Sequence, residues 1–150
     1  MPISVHLVEN VAVWLVQGTV GRTDMRSAFV ATGPVRERHA GRGRLLVVWS
    51  AEIVPEVRDE LTQIHRGTAG MFERMACVGT PATLTLIAGR AGRTPGGAGV
   101  EGFQRLEDAV ERISDGASAT VIAQLKVLLP RMRAALPEEL AREAGAGATR

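Results

Sequence analysis

The stretch Arg44-Leu45-Leu46-Val47-Val48-Trp49-Ser50 decides the fold of this chain. It holds five consecutive large apolar residues, and a basic, glycine-containing segment precedes it. A continuous apolar run of this length is typical of a strand covered on both faces, because a half-exposed strand alternates apolar with polar residues. The run therefore predicts a central, fully buried β-strand.

Length and composition predict one globular domain. The chain has 150 residues, 45% of them apolar and 23% charged, which suffices for a core without disulfides. The net charge is only +2 and acidic residues are interspersed with Arg, which argues against nucleic-acid binding. The single cysteine, Cys77, indicates a reducing compartment. No signal peptide and no apolar stretch of ~18 residues is present, so we expect a soluble, cytoplasmic protein without membrane insertion.

Upstream of the central strand, the pattern predicts a hairpin and a helix. Alternating apolar residues lead to a tight turn at Glu9-Asn10, and a β-branched run follows over residues 11–16. Thr23 is expected to cap a helix with Asp24 in its first turn. Gly33-Pro34 should break or kink that helix, since proline lacks an N–H group and disfavours helix before it.

Downstream of the central strand, helices alternate with strands. A helix should begin at Pro55, short strands are expected at residues 74–78 and 100–103, and an amphipathic helix covers residues 106–113. This order predicts an α/β fold with a mixed, mostly parallel sheet of four to five strands, an N-terminal hairpin and packed helices.

The region between the last two predicted strands fits two alternatives. Thr80-Pro81 is typical of a helix start, whereas residues 83–87 suit a strand equally well. The glycine-rich segment 89–99 resembles a phosphate loop only superficially, because no Gly-Lys-Ser/Thr follows it. We interpret this segment as a flexible connector.

The chain divides by pattern into an α/β domain over residues 1–116, a helical extension over 117–144 and a disordered tail over 145–150. Pro130 and Pro137 are expected to kink or divide the extension. Its apolar stripe must pack on the domain's own sheet or on another subunit, because a helix so apolar is marginal alone in water. The stripe consists of Val121, Leu125, Leu128, Met132, Leu136 and Leu140.

The element order through Ile113 resembles the STAS domain of bacterial anti-sigma-factor antagonists and the broader STAS-like, CRAL-TRIO-like set. The local matches are the hairpin, the helix at Thr23-Asp24, the strand from Leu45 to Trp49, the segment Phe72-Glu73-Arg74-Met75-Ala76-Cys77-Val78-Gly79 and the ending from Phe103 to Ile113. The resemblance implies a non-enzymatic regulatory module that docks a protein partner near the start of the second long helix.

Ser50 and Glu52 are the partner-contact residues that this resemblance implies. Antagonists of the family carry an Asp-Ser/Thr-Ser/Thr-Gly type motif at this place, whose hydroxyl a partner kinase phosphorylates. Here the matching residues are Trp49-Ser50-Ala51-Glu52, without the Asp and the Gly. We therefore expect no obligatory phosphosite, and Ser50 alone is typical of a cap or turn hydroxyl.

No enzymatic constellation is evident in the sequence. His6, His39 and His65 are far apart and have no neighbouring cysteine or carboxylate in a metal-ligand spacing. Cys77 within an apolar strand is typical of a core residue, and so is Trp14. We predict no catalytic residue, no cofactor and no metal.

Three functions remain open from sequence. The first is a STAS-like regulatory module that docks a protein partner, either an anti-sigma-type kinase or a second copy of itself. The second is a small-ligand or lipid-binding module, since CRAL-TRIO-like proteins enclose apolar ligands. The third is an assembly protein that forms homo-oligomers through its C-terminal helices. A pocket between the sheet and its helices would distinguish the second from the others.

Overall fold

The computed structural model describes residues 2–51, 55–60, 72–85 and 100–142. The strands in these ranges form one sheet, in which sequence order is also spatial order. β1 and β2 are antiparallel, and β2, β3, β4 and β5 run parallel to one another. The predicted α/β class with a mixed, mostly parallel sheet is confirmed. The strands are β1 (Ile3–Val8), β2 (Val11–Gly18), β3 (Gly43–Ala51), β4 (Phe72–Val78) and β5 (Val100–Phe103).

Helices cover both faces of the sheet and make three layers. Side chains of α1, α2, α3 and α4 pack on one face, and those of α5, α6 and the segment that follows pack on the other. The helices are α1 (Arg22–Ala31), α2 (Gly33–Arg38), α3 (described over 55–60), α4 (described over 81–85), α5 (Leu106–Ser114), α6 (Ala119–Ala134) and α7 (described over 138–142). The sequence thus alternates its helices with its strands as predicted up to α5.

The hairpin turn is tied to the start of β3. Glu9 adopts a φ of 49°, the left-handed region that favours glycine. The Asn10 side chain donates to the Arg42 carbonyl at 2.9 Å, and the Asn10 carbonyl accepts from the Arg44 backbone N–H at 2.7 Å. These bonds hold the N-terminal ends of β2 and β3 next to each other.

The first cluster is the core between the sheet and α1 to α4. Trp14 lies in it, as predicted, and its indole N–H donates to the Thr32 hydroxyl at 2.8 Å. That hydroxyl donates in turn to the Ala28 carbonyl at 2.9 Å. The buried polar atoms of Trp14 and Thr32 are therefore satisfied, as buried polar groups must be. The cluster also contains Val16, Met25, Val35, Leu45, Val47, Trp49, Val57, Phe72, Met75 and Cys77.

The prediction that Thr23 caps the first helix is wrong by two residues. α1 begins at Arg22 with Gly21 as its N-cap, and Thr23 lies inside the first turn. The Asp24 carboxylate accepts from the Gly21 N–H at 2.9 Å and satisfies this end of the helix. The predicted break at Gly33-Pro34 is confirmed, since α1 ends before it and α2 starts there.

The second cluster is the core between the sheet and α5 to α7, and it contains most of the apolar stripe. Val121, Leu125, Met132, Leu136 and Leu140 are buried there, and Leu128 is partly buried against it. The same cluster includes Val11, Val13, Leu46, Val48, Ala76 and Ile113. The stripe thus lies on the domain's own sheet. The boundary at residue 116 stays a prediction, and the tail 145–150 lies outside the described residues.

Pro130 does not divide the extension, contrary to expectation. α6 runs from Ala119 to Ala134 with Pro130 inside it, and the chain leaves the helix just before Pro137. A proline at 130 removes the helical donor for the Lys126 carbonyl. Lys126 and Pro130 are both exposed, so water can satisfy that carbonyl.

Val47→Asp tests the burial of β3. Val47 lies between Trp14 and Cys77 in the sheet and is 9% exposed. The substitution buries a charge without a partner, and we expect it to cost several kcal/mol and prevent folding. Thermal unfolding followed by circular dichroism measures this. Val127→Asp, at a side chain 78% exposed on α6, is the control; equal melting of the two variants would contradict the assignment of β3 as the central strand.

Candidate functional site

Ser50 lies in β3, one residue before its end, and its strand partner is Gln17 of β2. It is half-buried and shares its face of the strand with Leu46 and Val48, so it points to the α5–α6 side. Glu52 lies outside the described residues. Of these two residues, the structure therefore places Ser50.

The described strand order has no reversal of the kind at which nucleotide-binding α/β proteins bind their ligands. Such ligands bind outside the carboxyl ends of the strands, where the strand order reverses. From β2 to β5 each parallel strand is followed along the sheet by the next one in sequence, without a reversal. The topology of these strands thus does not point to a nucleotide site.

The candidate nucleophile and metal ligands are separated. Cys77 is fully buried in the first cluster, and this burial raises the pKa of its thiol, so the reactive thiolate is disfavoured. His6 lies on β1. Its pKa is lowered mainly by partial burial and, to a smaller extent, by the positive charge of Arg131 on α6. His39 ends α2, and His65 lies outside the described residues. Across the described ranges, no three His, Cys, Asp or Glu side chains are grouped to hold a metal ion.

Two arginines hold the C-terminal end of α5 against the sheet. The Arg44 Nη1 donates to the carbonyls of Ile113 and Asp115, both at 2.7 Å, and its Nε donates to Glu73 at 3.0 Å. The Arg74 Nη1 donates to the Asp115 carbonyl as well. The carbonyls at a helix end lack helical donors and carry partial negative charge, so guanidinium groups stabilise them.

Arg44 belongs to the architecture of the domain. Its side chain is 7% exposed, and all the polar partners named above are groups of this chain. Arg74 is less buried and also faces the Asp115 carboxylate at 3.7 Å. A shallow groove lined by Arg112, Ser114 and Ile122 lies beside this helix end. We assign the arginine pair to the attachment of α5.

Arg44→Met tests this attachment. Methionine keeps most of the aliphatic stem but leaves the Ile113 carbonyl and Glu73 without the Arg44 donor, and the Asp115 carbonyl keeps only its bond from Arg74. Hydrogen bonds to charged groups are worth about 1.5–3 kcal/mol each, so we expect a loss of about 2–4 kcal/mol in the free energy of unfolding. Urea denaturation measures it. The control is Arg112→Met, which breaks the exposed pair with Glu101 and should cost at most about 1 kcal/mol. Equal losses in the two variants would show that Arg44 does not anchor α5.

The two edges of the sheet differ in their protection against other strands. β5 is four residues long, and Glu101 on it forms an ion pair with Arg112 at 2.8 Å. β1 is six residues long and carries no charged side chain and no proline. Short length and charge are the usual means by which an edge strand avoids pairing with another chain. β1 lacks both.

An open groove of about 350 Å³ runs between β1 and α1. Ile3 and Val5 of β1 line it, and so do Asp24 and the small side chains Ser27 and Ala31 of α1. Leu7, on the same face of β1, is 43% exposed. We call β1 and this groove the β1 edge. It was missed at the level of sequence, although the absence of charge from residues 3–8 was a usable signal.

The chain matches no protein-family model, no curated protein and no solved structure. The resemblance to the STAS domain therefore stays a prediction.

Among the described helices, none is long and apolar enough to cross a membrane.

Proposed function

We propose that this chain is a non-enzymatic, cytoplasmic regulatory module of the STAS-like bacterial kind, which acts by docking a protein partner. The observation that carries the proposal is the β1 edge, an uncharged edge strand beside a mostly apolar groove whose lining includes Asp24. The predicted partners are an anti-sigma-type kinase or a second copy of the chain. Contact of the partner with Ser50 and Glu52 stays a prediction.

An open edge strand and a groove are together the features that strand addition requires. A partner strand gains affinity from main-chain hydrogen bonds to the edge, and alternate side chains that enter pockets give specificity. β1 offers the backbone groups of its outer side, and the groove next to Ile3 and Val5 offers apolar surface for a side chain. Leu7 adds an exposed apolar side chain at the far end of the strand.

Three buried polar residues connect the layers of the described domain. Thr32, Arg44 and Glu60 are the buried polar residues of the described chain, and each bonds to other groups of the domain. Glu60, for example, accepts from Arg26 of α1 at 2.8 Å and so links α1 to α3. These residues stabilise the packing between layers.

The two alternative functions have less support from the packing. A lipid-binding module needs apolar space between sheet and helices, whereas side chains of the helices occupy both faces of the described sheet. An assembly protein that uses its C-terminal helices needs the apolar stripe on its outside, whereas Leu125 and Met132 are turned inward to the sheet.

A comparison of three immobilised proteins tests the docking function: the full chain, Leu7→Lys and Val127→Lys. Leu7→Lys places a charge on the β1 edge, and Val127→Lys places the same charge on the outside of α6. We expect one protein from an extract of the source organism to bind the full chain and Val127→Lys, and to bind Leu7→Lys at least about tenfold more weakly, which corresponds to 1.4 kcal/mol.

The retained protein is identified by mass spectrometry, and native mass spectrometry of the purified chain runs in parallel. Retention that is equal for all three proteins would contradict docking at the β1 edge. A small molecule bound in stoichiometric amount would favour the ligand-binding alternative instead.

A further inference from the structure

We infer that β1 pairs antiparallel with β1 of a second copy of this chain, centred on Val5, so that two five-stranded sheets join into one continuous sheet. The inference rests on the proposed function, because it uses the same β1 edge and names the partner. It follows from three observations: the direction of the backbone groups of β1, its side-chain pattern and the room beside α1.

The hairpin shows which backbone groups of β1 point away from β2 and pair with no strand in the described ranges. Val8 and Val11 are paired across a two-residue turn, so they exchange hydrogen bonds, and every second pair along an antiparallel ladder does the same. The Gln17 N–H donates to the Pro2 carbonyl at 2.8 Å, which fits this alternation at the other end of the hairpin. The even-numbered residues of β1 therefore direct their N–H and C=O groups to β2. Those of Ile3, Val5 and Leu7 point to the outer side of β1, where the described sheet has no further strand.

Two-fold symmetry allows few registers for the pairing of β1 with a second β1. Residues directly opposite each other must share a face of the joined sheet, so each residue pairs with one of the same parity. A centre at Val5 places Ile3 opposite Leu7 of the second copy and Val5 opposite its own equivalent. All three free residues then form hydrogen-bonded pairs, and each pair exchanges two bonds. A centre at Ser4 or His6 would use only two such pairs.

The side chains are complementary in the register centred on Val5. Ile3 meets Leu7 of the second copy and Val5 meets Val5, so apolar residues lie together on the face that carries α1. Ser4 meets His6 of the second copy on the other face, and both are polar. Apolar and β-branched pairs across strands stabilise a sheet, whereas like charges opposite each other destabilise it. No charge on β1 opposes this register.

There is room for the second copy beside α1. On the α1 side the groove is lined by Asp24 and by the small residues Ser27, Ala28 and Ala31. Leu7, 43% exposed in the single chain, would pack beside Ile3 of the second copy, and the mouth of the groove would be covered. The inference favours a second copy over an unrelated strand because β1 is complementary to itself.

Two measurements on the full-length protein test this pairing. Sedimentation equilibrium over a dilution series should show mass moving from 15.9 kDa towards twice that value as concentration rises. Leu7→Lys should keep the melting temperature of the monomer but shift dimer formation to at least about tenfold higher concentration, because two lysines would face Ile3 side chains. Val127→Lys, on the outside of α6, should dimerise as the unmodified chain does.

Amide exchange by NMR reads the register directly. In the dimer, the amides of Ile3, Val5 and Leu7 should become protected as concentration rises, whereas Ser4, His6 and Val8 are protected at all concentrations. A chain that stays monomeric throughout the series would overturn the inference, and so would a dimer that Leu7→Lys leaves intact. If the chain stays monomeric but binds a different protein, and Leu7→Lys weakens that binding, only the self-pairing would be overturned and the proposed function would stand. If neither effect occurred, the proposed function would fail as well.

Discussion

The rest of the fold depends on the burial of β3 on both faces. Leu46 and Val48 belong to the second cluster, and Val47 and Trp49 belong to the first. A strand with apolar side chains on both sides is stable only between two covering layers, since each large side chain gains roughly 1.5–3 kcal/mol by full burial. The helices before β5 supply one layer. The chain after β5 must supply the other, which explains why α6 carries an apolar stripe.

Arg44 shows how the same strand also positions the second layer. It stands at the start of β3, and its guanidinium group reaches the carbonyls at the end of α5. Removing the guanidinium group from water costs free energy. This cost is offset because the hydrogen bonds named here go to carbonyls at the end of a helix and to a carboxylate. With both faces covered, the edges are the parts of the sheet that the described residues leave open, and of these two edges β5 is the one that is short and carries an ion pair.

Local patterns were enough to predict the strands, the hairpin and α5, because β1 alternates, β3 is a continuous apolar run and α5 has the helical period of 3.6 in its own residues. The errors have physical causes. Pro130 was expected to divide α6, but a helix packed on a sheet tolerates a proline on its exposed side. Thr23 is a good cap by type, yet Gly21 and Asp24 form the helix start. The contacts of Arg44 and the open edge at β1 depend on topology, which no local pattern contains.

The most direct test compares Leu125→Ala with Val127→Ala in the full chain, with unfolding followed by tryptophan fluorescence. Trp14 and Trp49 both lie in the first cluster, on the side of the sheet away from α6, and the chain has no tyrosine. Leu125 is fully buried, so its loss should lower the tryptophan-monitored free energy of unfolding by about 2–5 kcal/mol, against at most about 0.5 for Val127. Equal, small changes in the two variants would show that α6 is not an integral layer of the domain.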